Sequence, residues 1–245
     1  MGQSQPILKL NPQLDLPGLK TAFARDRRVQ IRDFLTRDSA QSIAQLLAEE
    51  TPWGLSWQAG ADGPHKLRRE QMAGLDPSTM QRTWQKLNHA AATGQFAFIY
   101  SQYQMYDAVR DGWSASAAHD GIVAALNGPD IIALMRDVTG IGQISWCDAQ
   151  ATHFGAGQFL TVHQDVNENE DWLVAYVLNL CTHEWHPDWG GYLNFFNDDG
   201  DIVAGFRPRF NALNIFAVPQ HHHVSYLPGY APAGRFAITG WFRGR

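Results

Sequence analysis

The chain of 245 residues is short of cysteine, of charge and of long apolar runs. Its two cysteines, Cys147 and Cys181, make no disulfide framework. Both sit in apolar stretches, which predicts buried thiols. Charged residues are 18% of the chain, below the roughly one quarter usual in globular domains. With 44% hydrophobic and 12% aromatic residues, that balance excludes disorder and suits a packed barrel. No apolar run approaches the ~18 residues of a membrane span. The opening MGQSQPILKL lacks a charged segment followed by a long apolar one, and Gly2 lacks the Ser or Thr spacing of a myristoylation site. The expected setting is a reducing cytoplasm with no membrane partner.

Positive charge is missing where it would matter for nucleic acid. No Lys follows Lys86, and the stretch from Asp137 to Phe206 holds eleven Asp or Glu and no Lys or Arg. Net charge is −5. Phosphate contacts dominate nucleic-acid affinity, so a nucleic-acid partner is excluded. The field suits a divalent cation and a neutral or basic substrate, although most of these acids are expected on solvated loops. Neither an internal repeat nor a low-complexity linker interrupts the chain.

Periodicity divides the chain near residue 141. Residues 1–28, with Pro6, Pro12 and Pro17, read as irregular. A strand is expected over 28–34. A helix over 37–50, capped by Thr36, has Ala40, Ile43, Ala44 and Leu47 on one face. Residues 53–58 read as a strand and 59–75, rich in Gly and Pro, as a mobile loop. Asp76-Pro77 opens a helix that Gly94 ends, 96–106 is an aromatic strand, and 119–126 is a short helix. The helix begun at Gly128-Pro129 closes at Gly140. Thereafter roughly eight short β-runs follow: 143–154, 158–165, 172–181, 191–197, 201–206, 212–219, 222–227 and 235–242. The turn Asn197-Asp198-Asp199-Gly200 separates two of them. The implied fold is mixed α+β, a double-stranded β-helix (jelly roll, cupin-like) with N-terminal helices packed on one face. One domain over 1–245 is expected, 1–140 being helix-rich support and 141–245 the catalytic core.

The chemistry concentrates at His163 and Asp165. One residue apart on a strand, they share a face and can take two neighbouring positions of a metal. A third ligand is available in the tract His221-His222-His223. Alternation sets His222 on the face of the apolar Val224, which selects His222 and leaves His221 and His223 outward. Two His and one carboxylate on one octahedral face is a non-haem Fe(II) arrangement. On the last strand Arg235, Ala237, Thr239 and Trp241 share a face opposite Phe236, Ile238 and Phe242. If that face is inward, Arg235 is a buried cation that requires an anion. The alternative places Arg235 in water with Phe236 and Ile238 in the core. Tyr103 and Tyr106 are either pocket-lining or packed. His183 and His186 (HxxH) lack a zinc-protease helix and read as loop histidines. Asp198, Asp199 and Asp201 miss the EF-hand spacing and read as a hairpin turn.

These residues carry a resemblance. Residues 154–165 (FGAGQFLTVHQD), Leu178-Asn179, 189–193 (WGGYL), 219–224 (PQHHHV) and 235–239 (RFAIT) together resemble the Fe(II)/2-oxoglutarate-dependent dioxygenases, and among them the prolyl-4-hydroxylase-like group. The resemblance covers about 150–245. It implies that His163, Asp165 and His222 ligate Fe(II), and that Arg235, helped by Thr239, holds the distal carboxylate of 2-oxoglutarate. O₂ is the second cosubstrate and ascorbate an auxiliary reductant. Trp241, Phe154, Tyr103 and the 166–171 loop are the expected substrate contacts. The implied reaction hydroxylates a prolyl residue of a protein or peptide while 2-oxoglutarate decarboxylates to succinate, with the 59–75 loop closing over the substrate. Where relatives often carry phenols, this chain has Phe154 and Val177, which leaves substrate identity open. Three rival readings are the same chemistry on a free amino acid or small metabolite, a non-enzymatic cupin-like metal-binding or sensing protein, and nucleic-acid demethylation, which the anionic 137–206 segment disfavours.

Overall fold

A computed structural model describes residues 8–166 and 170–244. Helix α1 (Leu16–Asp26) precedes β1 (Arg28–Arg32) and α2 (Arg37–Glu49). A hairpin of β2 (Gly54–Ala59) and β3 (Asp62–Leu67) leads through the single turn α3 (Arg69–Met72) into α4 (Pro77–Ala92) and β4 (Ala97–Tyr103). Helices α5 (Met105–Arg110), α6 (Ala117–Leu126) and α7 (Pro129–Thr139) follow. Then come β5 (Trp146–Cys147), β6 (Gln150–Phe154), β7 (Phe159–His163), β8 (Trp172–Asn179), β9 (Leu193–Phe196), β10 (Ile202–Phe206), β11 (Ala212–Ala217), β12 (His222–Val224) and β13 (Arg235–Arg243).

The strands pair in the order β1-β11-β8-β13-β6-β4-β7-β12-β9-β10, antiparallel throughout, with β2 on β4, β3 on β2 and β5 on β13. This nearly closed roll is the jelly-roll double-stranded β-helix. Strand β4 joins its two halves, pairing β6 through 101–103 and β7 through 98–99. Strands from the first part of the chain therefore belong to the same sheet as the second.

Alternation along β13 decides what faces where. Ile238 and Phe242 pack outward with Tyr176, Leu178 and Ile215 against Phe23, Ile43, Ile122 and Met135 of the helices. Ala237 and Trp241 point inward with Val177, Phe195 and Phe216. Each large aliphatic side chain so buried contributes about 1.5–3 kcal/mol. A one-residue slip would reverse both faces at once, so the register is strongly specified.

Two expectations are corrected. Residues 16–26 are helix, not irregular chain: Pro17 lies in the first turn, where its missing N–H costs nothing, and Asp15 accepts the Gly18 N–H at 3.1 Å. Residues 59–75 are mostly the strand β3 and α3, not a loop. Pro64 is tolerated because β3 pairs with β2 alone, and His65 stacks on Trp57 at 4.8 Å. The run 143–154 is also broken, into β5 and β6. Cys147 and Cys181 are free and buried, and Asn197–Gly200 is the turn between β9 and β10, both as expected.

Candidate metal centre and its cavity

His163 ends β7 and His222 begins β12, and the register sets the two directly opposite. Their rings lie 4.2 Å apart. Asp165 sits just past the end of β7 rather than on it, and is buried. It still reaches both rings, His163 Nε2 to Oδ1 at 3.3 Å and His222 Nε2 to Oδ2 at 3.5 Å. The three ligand-type atoms lie within 4.8 Å of one another.

Both imidazoles are oriented from behind. His163 Nδ1 donates to the Thr161 carbonyl at 2.9 Å and His222 Nδ1 to that of Gln220 at 2.8 Å. That turns each Nε2 toward Asp165. Burial, with the neighbouring His163, pushes His222 down to about 4, so it stays neutral. Two imidazole Nε2 atoms and a carboxylate thus converge on one point, a donor set that suits a cation. The donor set fits Fe(II). Phe96 at 5.3 Å from His163 and Phe216 at 4.6 Å from His222 wall the group.

The centre opens into a cavity of about 530 Å³ inside the roll. Arg235 lines it and is 1% exposed. Its Nε has no partner among the described residues, and no carboxylate there pairs with it. Burial pulls the guanidinium down to about 10. Cys181, whose nearness enters that balance, is itself pushed up by burial to about 11, so it remains a thiol and supplies no counter-charge. A buried, unpaired cation is costly alone and complete with a carboxylate guest. Phe154 packs 5.4 Å from the guanidinium.

Thr239, Trp241 and Phe154 line the same cavity. Trp241 stacks on Trp172 at 4.2 Å and 9°. Tyr103 does not line it. The odd-numbered residues of β4 face the other way, and the Tyr103 hydroxyl accepts the Ala115 N–H at 2.7 Å while its ring meets Trp113 and His119. The cavity is instead lined by Phe96, Phe98 and Tyr100, which the sequence reading passed over. Parity was the available signal: Phe98 and Tyr100 alternate on one face, and Tyr103 lies on the other. Tyr100 stacks on Phe154 at 4.9 Å, and burial pushes its phenol up to about 12, so it stays protonated. It brings a hydroxyl to a region where Phe154 has none. Pro64 and Lys66 of β3 also contribute to the lining. Of the 166–171 loop, 167–169 lie outside the described residues. His221 meets Gln164 and His223 meets Asn194, neither at the metal centre. His183 and His186 are exposed and apart from it.

The family model for the 2OG-Fe(II) oxygenase superfamily matches residues 149–243. That match runs through β6 to β13 and takes in His163, Asp165, His222 and Arg235. The whole fold is similar to that of a Pseudomonas putida prolyl-4-hydroxylase, at 20% identity and a TM-score of 0.56, covering 94% of this chain and 99% of that one. It is similar to a Trichoplax adhaerens prolyl hydroxylase in complex with a hypoxia inducible factor oxygen degradation domain peptide fragment, at 14% identity and a TM-score of 0.61, covering 94% and 89%. A third likeness is to the non-heme alpha ketoglutarate dependent epimerase SnoN from nogalamycin biosynthesis, at 13% identity and 0.54, covering 92% and 80%. No curated protein matches. The matched superfamily is named for 2-oxoglutarate and Fe(II), and the donor set of His163, Asp165 and His222 suits that metal. No helix of the described residues is long and apolar enough to cross a membrane.

Proposed function

We propose that the protein hydroxylates a prolyl residue of a protein or peptide, using Fe(II), 2-oxoglutarate and O₂. The observation that carries this reading is the unpaired, buried Arg235 in one cavity with His163, Asp165 and His222. The three ligands hold the metal, their rings fixed by the Thr161 and Gln220 carbonyls. Arg235 binds the distal carboxylate of 2-oxoglutarate and Thr239 adds a hydroxyl. When bound, the metal and cosubstrate supply an oxidant able to attack an unactivated C–H bond. The protein orients that bond and excludes water, work suited to Phe98, Phe154 and the Trp172–Trp241 stack.

A prolyl ring is apolar, and so is most of this lining. The β2–β3 hairpin reaches the cavity with Pro64 and Lys66 and takes the lid's place as an ordered edge. A reducing compartment suits the ferrous metal, and ascorbate is an auxiliary reductant. The chain is read as a single domain, since β4 belongs to the sheet that holds the ligands. A small apolar metabolite is the second reading, favoured by a volume within the roughly 300–1,000 Å³ of small-molecule sites.

Anaerobic absorption titration with Fe(II) and then 2-oxoglutarate tests the core of the proposal. A visible charge-transfer band needing both additions, and lost in His222→Ala and weakened in Arg235→Ala, is expected. Fe(II) binding with no band at saturating 2-oxoglutarate would refute the cosubstrate assignment. Proline-containing peptides are then screened for a mass gain of one oxygen. Turnover of small amides with none of any peptide would favour the metabolite reading.

A further inference from the structure

The two ends of the main strand order, β1 and β10, border one groove. Among the described residues β1 pairs only with β11 and β10 only with β9, so each keeps an unpaired edge there. Val29, Gln30, Val203 and Phe206 of these strands line a groove of about 580 Å³ that shares no lining residue with the metal cavity.

The groove is cationic in an acidic protein. Arg25, Arg28, Arg32, Arg207 and Arg209 line it, five of the 19 Lys and Arg of the chain. Its one acid, Asp26, is taken by Arg25 at 2.8 Å. The arginine ion pairs among the described residues involve Arg25, Arg110 and Arg243, never the other four of the groove. These four are not loose charges at random. Gln30 accepts Arg209 Nε–H at 3.0 Å and donates to the Arg207 carbonyl at 3.1 Å, tying the 207–209 segment to β1. Arg28 is held by Gln220 at 2.8 Å and lies 4.9 Å over Phe195. Arg207 Nη1 reaches the Trp185 carbonyl at 3.4 Å while its buried Nε has no partner. Burial and the Arg207 and Arg32 charges hold Arg209 below its ordinary value, which places the guanidiniums within each other's field.

We propose that this groove docks an extended acidic segment of a partner polypeptide, its carboxylates on the guanidiniums and its backbone along the free strand edges. Like charges fixed together without counter-charge cost free energy that carboxylates recover, and Arg binds them in a fork. An isolated phosphate would use the charges alone. A peptide also uses Val203, which is 50% exposed, and the unpaired N–H and C=O groups of β1 and β10. The proposal is independent of the reaction at the metal.

Fluorescence anisotropy with a labelled peptide of alternating Glu and Val tests it on the full chain. The wild type is expected to bind this peptide and not a Gln-Val peptide. Arg32→Glu/Arg209→Glu should weaken binding about tenfold or more, and a charge-matched Arg69→Glu/Arg82→Glu control less than about twofold. Should the first pair fail to fold, Arg32→Gln alone, at an exposed side chain, should weaken binding about threefold. Three results would overturn the proposal: no binding by the wild type, equal loss in both charge-reversed pairs, or full displacement of the peptide by inorganic phosphate at matched ionic strength. So would a wild-type dimer, lost in Arg32→Glu/Arg209→Glu, that binds no peptide, for it would make a second copy the occupant.

Discussion

At the scale of single residues, Arg235 sets function against stability. Its guanidinium is buried, without an acid partner among the described residues, and depressed to about 10 by that burial. Replacing an uncompensated buried charge by an apolar residue of similar volume removes the desolvation penalty. Arg235→Met should therefore raise the unfolding free energy of the apo protein by about 1–3 kcal/mol. The same variant should lose the 2-oxoglutarate-dependent band; urea unfolding and the anaerobic titration check the two halves. His153 acts through pH. Burial lowers it from 6.5 to about 4, and it stacks on Phe236 at 4.3 Å. Between those values the unfolded chain binds the proton and the folded one does not, so stability falls as pH falls. The contribution is complete above pH 6.5 and is lost progressively toward pH 4, up to roughly 3 kcal/mol. His153→Gln should flatten the stability profile in that window relative to wild type, as read from urea midpoints across pH.

Elements impose tighter limits than side chains do. At Gly54 an added Cβ would lie 2.0 Å from the Leu67 carbonyl oxygen, backbone against backbone. Gly54 and Leu67 belong to the two strands of the β2–β3 hairpin, so the clash cannot be relieved by a rotamer. Gly54→Ala should part the hairpin, cost about 1–3 kcal/mol, and displace Pro64 and Lys66 from the cavity. Urea unfolding measures the first effect. A raised KM for substrate with an unchanged dissociation constant for 2-oxoglutarate measures the second. The same hairpin shows why local composition misled. Gly60, Gly63 and Pro64 read as a loop, yet a hairpin with an outer strand admits all three. Helices α2, α4 and α7 were legible because their apolar stripes and terminal Pro, Asp or Gly residues act within a few turns.

For the molecule as a whole, the candidate metal centre links distant strands. Its ligands come from the end of β7 and the start of β12, 59 positions apart as His163 and His222. A cation bound there stabilises the folded chain by mass action, and the unfolded chain holds no such site. Mn(II), a redox-stable substitute for Fe(II), should raise stability by about 2.7 kcal/mol at a hundredfold excess over its dissociation constant. Excess EDTA should remove the gain, and His222→Ala should abolish it; thermal unfolding with and without metal provides the check.

The sequence by itself determined the pairing of His163 with Asp165, the choice of His222 from three histidines, and the company Arg235 keeps on its strand. Each was read from a period of two along a strand, a property of a few neighbouring residues, although Asp165 itself lies just past the end of β7. It also determined the change from helix to strand near residue 141, through hydrophobic spacing. Only the tertiary structure decided that Asp165 reaches both rings from beyond the strand, and that His222 lies opposite His163. It alone decided that Arg235 has no acid beside it among the described residues, that Tyr100 and not Tyr103 faces the cavity, and that arginines near residues 30 and 208 share a groove. Those facts depend on cross-strand register and on how the sheet rolls. Both are set by packing between residues far apart in the chain, which no local pattern records.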